Sequence, residues 1–175
     1  MKKILFTFLL AVTCIVSANA GDKLKLVSGN VSSLKDGGTA TVVIDLVNTT
    51  YDKKMPLRQD ARYANIDNQI PNFTSEFIRE FNENSKKFRL VEGNEAEYNF
   101  IVVVDDLDYH VNVMSFKGGH ATKLEGTVFI NKGDDNIAQV IFQHESTGFT
   151  FDLSVEETLE GLAKNLAKKI SKGKF

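Results

Sequence analysis

The sequence contains almost no cysteine, no tryptophan and only two prolines. The one cysteine, Cys14, lies in an amino-terminal segment that we expect to be removed. The remaining chain would then have no disulfide, no thiolate metal ligand and no cysteine nucleophile.

The sequence also lacks a strong excess of either charge. It has 21 basic and 23 acidic residues, a net charge of −2. Residues 1–20 contain Lys2 and Lys3 but no acidic residue, so their removal would lower the net charge by two. This mildly acidic mixture provides no electrostatic basis for binding nucleic acid or an anionic membrane, and we expect no nucleic-acid partner.

Motifs for common chemistries are missing as well. The chain has no Gly-x-Ser-x-Gly nucleophile motif and no glycine-rich loop with the spacing that holds phosphate between a strand and a helix. We therefore predict no catalytic residue, no bound cofactor and no metal site. Active sites assembled from distant residues leave no motif, so a hydrolase remains an alternative.

The first twenty residues have the pattern of a secretory signal peptide. Two lysines precede an apolar run over 4–16, and Ser17–Ala20 supplies the small residues of a cleavage site. We predict cleavage after Ala20, leaving one domain over 21–175 in the periplasm or outside the cell. Thr13 before Cys14 is a poor fit to a lipid-attachment site, so no lipid anchor is expected. No later stretch is long and apolar enough to span a membrane.

The apolar and alternating pattern over residues 98–146 predicts three antiparallel strands. Gly118 and Gly119 read as a two-residue hairpin loop that pairs Lys117 with His120. In the second hairpin we predict Val128 opposite Val140, which places Phe142 beside Gly126. Two earlier strands, over 24–31 and 39–47, predict a further hairpin, with the alternative that the strand 24–31 lies at an edge of the sheet. The near-continuous apolar run of the second strand favours a strand covered on both faces.

Two amphipathic helices are predicted. Phe73, Phe77, Ile78 and Phe81 form an apolar stripe on a helix over 72–87. Ser154 and Glu157 match a capping box that begins a second helix, ending near Ile170. The predicted fold class is α+β: a mostly antiparallel twisted sheet of five to six strands with both helices packed on one face.

Two groups of polar residues invite a metal hypothesis. The histidines His110, His120 and His144 fall near one end of the strands, but the predicted registers place His110 and His144 on opposite faces. A one-residue slip would bring His144 to the other face. Asp105, Asp106 and Asp108 alternate along a strand, which favours a solvated face over a calcium site or a paired-carboxylate acid and base.

The run Lys25–Lys35, followed by Thr41–Asp45, resembles the opening of an uncharacterised family of small exported Gram-negative bacterial proteins. The order of elements after Thr39 is similar to that of the curli-secretion lipoprotein and of the amino-terminal α/β domain of TolB. These resemblances imply an accessory or assembly role in the bacterial envelope and supply no catalytic residue.

We therefore predict a non-enzymatic envelope protein that binds a partner protein or a ligand through the irregular segment 48–70 or the exposed end of the sheet. One alternative is a carrier of a small apolar ligand, with a pocket between the helix 72–87 and the sheet. The other is the motif-less hydrolase.

Overall fold

A computed structural model describes residues 22–93, 95–112, 119–148 and 150–175. The predicted signal peptide and residues 113–118 of the first long hairpin lie outside these ranges. The strands are β1 (Lys23–Gly29), β2 (Gly38–Asp45), β3 (Thr50–Tyr51), β4 (Met55–Pro56), β5 (Phe88–Leu90), β6 (Tyr98–Asn112), β7 (Gly119–Lys132) and β8 (Asp135–Gly148). The helices are α1 (Ile70–Asn84) and α2 (Phe151–Lys172), with 3₁₀ turns at Ser32–Asp36, Leu57–Gln59 and Ile66–Gln69.

Within the described ranges, the eight strands form one sheet in the order β1-β8-β7-β6-β2-β5, with β3 and β4 attached beside β6. The long strands β6, β7 and β8 are antiparallel, whereas β2 runs parallel to both β5 and β6. This confirms the α+β class. The predicted hairpin between the first two strands is wrong, because β1 pairs with β8 and β2 lies near the opposite edge.

Both helices pack on the same face of the sheet, as predicted. The phenylalanines Phe73, Phe77 and Phe81 of α1 are fully buried. The Phe81 ring meets Phe88 and Phe100 edge to face, with centroids 6.4 and 6.1 Å away. The phenylalanine stripe therefore fills the interface between α1 and the sheet. No helix in the described residues is long and apolar enough to cross a membrane.

The opposite face of the sheet carries no helix among the described residues. Val43 on β2 is 49% exposed, and its neighbours across the strands are only half-buried: Ile101, Phe129, Val103 and Ile141. The prediction that β2 is covered on both faces is thus wrong. Its continuous apolar run reflects one buried face and one exposed apolar face.

The register of the second long hairpin is confirmed. Val128 pairs with Val140, and Gly126 pairs with Phe142. A Cβ atom placed on Gly126 would lie 2.8 Å from Phe142 Cζ and 2.1 Å from the carbonyl oxygen of Val103. Only glycine leaves room for both neighbours at this position.

The register predicted for the first long hairpin, between β6 and β7, is wrong. Leu107 pairs with Leu124 rather than with Ile130, and the ladder closes at Asn112 and Gly119, with residues 113–118 between them. The ladder also shifts by one residue between Val104 and Asp106. Gly119 therefore belongs to the strand rather than to a loop, His120 pairs with Val111 rather than with Lys117, and the extra residue at Asp105 is a β-bulge.

The ends of the helices differ in part from expectation. The first residue of α2 is Phe151, and the N-cap is Thr150, whose side chain accepts a hydrogen bond from the Leu153 amide. Ser154 lies inside the helix, buried, where its hydroxyl is 2.5 Å from that of Thr122. Gly173 ends α2 in a left-handed conformation, as its place after the apolar pattern predicts.

Replacing Gly126 with alanine should lower the free energy of unfolding by about 2 kcal/mol or more, because the added methyl group overlaps Val103 and Phe142. Urea denaturation measures the change. Thr127→Ala is the matched control, since Thr127 is only half-buried. Equal stabilities for the two variants would contradict the close approach at Gly126.

Candidate binding surface at one end of the sheet

The segment between β2 and α1 is tied to β6 by three short hydrogen bonds. The Thr49 hydroxyl donates to the carbonyl oxygen of Val104 at 2.7 Å. The Asp106 carboxylate accepts from the Thr50 hydroxyl at 2.5 Å and from the Lys53 amide at 2.8 Å. Asp106 is only 6% exposed, so its carboxylate anchors the segment.

A second anchor joins the two ends of the same segment. The Arg58 guanidinium donates to the carbonyl oxygens of Leu46 and Val47, at 2.5 and 2.8 Å. It also forms a two-pronged pair with the Asp67 carboxylate, at 2.9 and 2.6 Å, which lowers the pKa of Asp67. The region that looks irregular in sequence is therefore held in one shape.

These anchors present a cluster of rings at the end of the sheet, which we call the aromatic end: Tyr51, Tyr63, Tyr109 and Phe151. Tyr63 lies 5.4 Å from Tyr51 and 4.4 Å from Phe151, centroid to centroid. Tyr109 of β6 meets Phe151 edge to face at 5.2 Å. The cluster thus unites the irregular segment, the longest strand and the first turn of α2.

Arg62 covers part of this cluster. Its guanidinium carbon lies 4.7 Å from the centre of the Tyr51 ring and 5.3 Å from that of Tyr63, within the range of cation–π attraction. Asp60 holds it by two hydrogen bonds of 2.9 and 2.5 Å. The same contacts lower the pKa of Asp60 to about 2, so this pair stays charged at neutral pH.

The aromatic end is partly open to solvent. Tyr51, Tyr109 and Phe151 are half-buried, while Tyr63 is fully buried. Val111 on β6 and Leu153 on α2 lie close by in sequence and are 56% and 41% exposed. Half-exposed aromatic rings beside an ordered arginine are the side chains that dominate protein-binding surfaces.

One polar atom in the cluster is unusual. The Tyr63 hydroxyl is buried and has no hydrogen-bond partner among the described residues, although most buried polar groups have one. Burial raises the pKa of Tyr63, so the hydroxyl stays protonated and can act as a donor. Its place in the cluster follows from the packing of its ring.

The histidines do not share one location. His110 is exposed, with Nε2 3.0 Å from the Asp108 carboxylate. His144 is buried opposite Leu124, with Nδ1 2.7 Å from Asp22, and it packs against Gly161 of α2. The prediction that His144 lies on the opposite face of the sheet from His110 is thus confirmed for His144, which shares the face of Leu124. The position of the His120 side chain lies outside the described part of the structure.

The three aspartates also separate. Asp105 is exposed and Asp108 half-buried, in keeping with the predicted solvated face, but the buried Asp106 is not. Desolvation, together with the charges of Asp106 and Glu125, raises the pKa of Asp105 even though its side chain reaches solvent. Among the described residues, no three acidic, histidine or cysteine side chains are grouped to hold a metal ion.

Sequence reasoning identified the segment 48–70 but not its partners. Tyr51 and Tyr63 stand among charged residues without periodicity, and Phe151 lies almost ninety residues further along the chain. The aromatic residues at the start of α2 are the one sequence feature that could have pointed to the cluster. The hydrophobic pattern of the sequence does not show that these rings meet Tyr51 and Tyr63.

No protein-family model and no curated protein matches the sequence. Solved structures share parts of the fold. The PelC dodecamer from Paraburkholderia phytofirmans is 13% identical, with 83% of this chain and 96% of that chain covered and a TM-score of 0.44. A Xanthomonas campestris protein of family DUF330 is 11% identical, with 75% and 82% covered and a TM-score of 0.45.

A minor lipoprotein from Acinetobacter baumannii is 9% identical, with 77% of this chain and 90% of that chain covered and a TM-score of 0.33.

Replacing Arg58 with alanine should loosen the segment 48–69, because its two ends lose the groups that join them. We expect local opening to become easier by about 1–2 kcal/mol, given the mostly exposed setting of the pair. Hydrogen–deuterium exchange of the Leu57 and Tyr63 amides measures it. Arg79→Ala, which removes an exposed ion pair on α1 outside the segment, is the control and should leave that exchange nearly unchanged.

The buried His144 should make the free energy of unfolding depend on pH. Burial lowers its pKa in the folded protein, and the Asp22 carboxylate offsets part of that effect. As the pH falls through the ordinary histidine range near 6.5, the unfolded state binds the proton first. The free energy of unfolding should therefore fall on acidification.

Urea denaturation at pH values of about 7.5 and 5.5 tests this, within the range where histidine titrates. The loss should be smaller in His144→Asn than in the wild type. His110→Asn, which changes an exposed histidine, should keep the wild-type loss. An identical pH dependence in all three proteins would contradict the role of His144.

Proposed function

We propose that this protein is a non-enzymatic accessory protein of the bacterial envelope, periplasmic or secreted, that binds a partner protein through the aromatic end. The observation that supports this best is the open cluster of Tyr51, Tyr109 and Phe151 beside the ordered Arg62. Rings that are already fixed lose little conformational freedom on binding.

The surroundings of the cluster favour a protein partner over a small ligand. Tyr51, Tyr109 and Phe151 are all half-buried, and Val111 and Leu153, each two residues from one of these rings in the chain, are exposed. Charged groups stand at the edge of the aromatic end, including the Asp60–Arg62 pair and the contact between His110 and Asp108. An apolar centre with a polar rim is the usual anatomy of a protein interface.

The carrier alternative has less support. It requires a cavity between α1 and the sheet, but the three buried phenylalanines of α1 occupy that space and contact rings from β5 and β6. The hydrolase alternative requires titratable groups gathered in a cleft. The described histidines and aspartates instead lie on different faces and in separate ion pairs.

The test is site-specific photo-crosslinking in cells that produce the full chain. A photoreactive amino acid at Val111 or Leu153 should capture one defined envelope protein. The same amino acid at Val43 is the matched control, because Val43 is also exposed but lies on β2, away from the cluster. Capture of the same proteins from all three positions would contradict a specific surface.

The captured partner is then purified and its affinity measured. Arg62→Ala and Tyr109→Ala should each weaken binding about tenfold or more, as is common for central arginine and tyrosine side chains. Val43→Ala should not change it. Unchanged affinity in both aromatic-end variants, with circular dichroism showing native folds, would overturn the proposal.

A further inference from the structure

A groove of about 610 Å³ runs between the edge strand β1 and the carboxy-terminal half of α2. Its lining is dominated by lysine, with one carboxylate, one amide and one leucine: Asp22, Lys23, Leu24, Lys25, Asn165, Lys168, Lys169 and Lys172. Five of the eight lining residues are cationic in a chain whose net charge is negative.

The positions of the lysines follow from the geometry of the two elements. Lys168 and Lys172 are four residues apart in α2, so they lie on one side of the helix, one turn from each other. Lys23 and Lys25 stand two apart on β1, which pairs with β8 alone among the described residues. Their ladder partners, Gln143 and Ile141, lie on the helix-free face of the sheet, so the lysines of α2 line the groove from the helix side.

Four of the five ammonium groups of the groove have no ion-pair partner in the described part of the chain. Among the described residues, no carboxylate lies within 4.0 Å of Lys23, Lys25, Lys168 or Lys172, whereas Lys53 and Lys132 each have one at 2.9 Å. The undescribed positions, 1–21, 94, 113–118 and 149, contain no aspartate or glutamate.

The single carboxylate of the groove is already engaged. Asp22 contacts His144 at 2.7 Å, and it accepts a hydrogen bond from the Asn165 amide at 3.4 Å. Lys169 lies 5.9 Å from the Phe175 ring centre, a contact that leaves its charge intact. The groove therefore has a strong excess of positive charge.

We propose that this groove binds a phosphate-bearing ligand with at least two negative charges, such as a diphosphate or the headgroup of an anionic phospholipid. Lysine ammonium groups act as point charges on phosphate oxygens, and several of them can share one multiply charged group.

Protection of the sheet edge explains only part of this arrangement. Lysines on an edge strand hinder pairing between sheets of different molecules, and Lys23 and Lys25 serve that purpose on β1. The three lysines of α2 are not on the sheet, yet they line the same cavity. This inference concerns a different surface from the aromatic end and stands or fails independently of it.

Isothermal titration calorimetry with sodium pyrophosphate at low ionic strength tests the site, using the chain from residue 21. Saturable binding is expected. The Lys168→Glu, Lys172→Glu double variant should weaken it at least about tenfold, because two attractive charges become repulsive. The Lys168→Arg, Lys172→Arg variant keeps the charges and should stay within about threefold of the wild type.

The matched control is the Lys86→Glu, Lys87→Glu variant, which makes the same change in net charge at two exposed lysines outside the groove. It should bind pyrophosphate like the wild type. An equal loss in this control would show a general charge effect and overturn the site. Absence of pyrophosphate binding, together with absence of vesicle binding, would also overturn it.

Vesicle sedimentation separates the two sources of phosphate. Binding to vesicles that contain cardiolipin, whose headgroup carries two phosphates, but not to phosphatidylcholine vesicles, lost in the Lys168→Glu, Lys172→Glu variant, supports a lipid headgroup. Pyrophosphate binding without vesicle binding supports a soluble phosphate compound. Binding of citrate or an acidic peptide as tightly as pyrophosphate would contradict the preference for phosphate.

Discussion

The β-bulge between Val104 and Asp106 determines which side chains of β6, the longest strand, face the helices on either side of it. Before the bulge, the even-numbered residues of β6, such as Val102 and Val104, face the helices; after it, Leu107 takes over that side. The extra residue changes which side chains point inward. It also sets Asp106 where its carboxylate can hold the segment after β2.

The aromatic end depends on that change. Tyr109 is two residues after Leu107, so its side chain lies on the same face of β6 as that of Leu107. There its ring meets Phe151 of α2. Thr49, Thr50 and Asp106 bring the irregular segment beside the same strand, so Tyr51 and Tyr63 join the cluster from the other side. Backbone geometry thus assembles rings that are far apart in the chain.

Local periodicity was sufficient to predict both helices, the phenylalanine stripe and the pairing of Val128 with Val140. The partners of β1 and β2 could not be predicted, because parallel pairing and edge position depend on contacts distant in sequence. The bulge left no mark beyond an aspartate in an apolar strand. For the proposed binding surfaces, the sequence indicated the segment 48–70, whereas the lysine groove combines residues 140 or more positions apart.

The strand β1 is the first element of the described chain, and within the described residues it pairs with β8, more than a hundred residues later. Bringing these two strands together closes a long loop, which costs chain entropy. The lysine groove, built on β1 and α2, therefore depends on a contact between the two ends of the described chain.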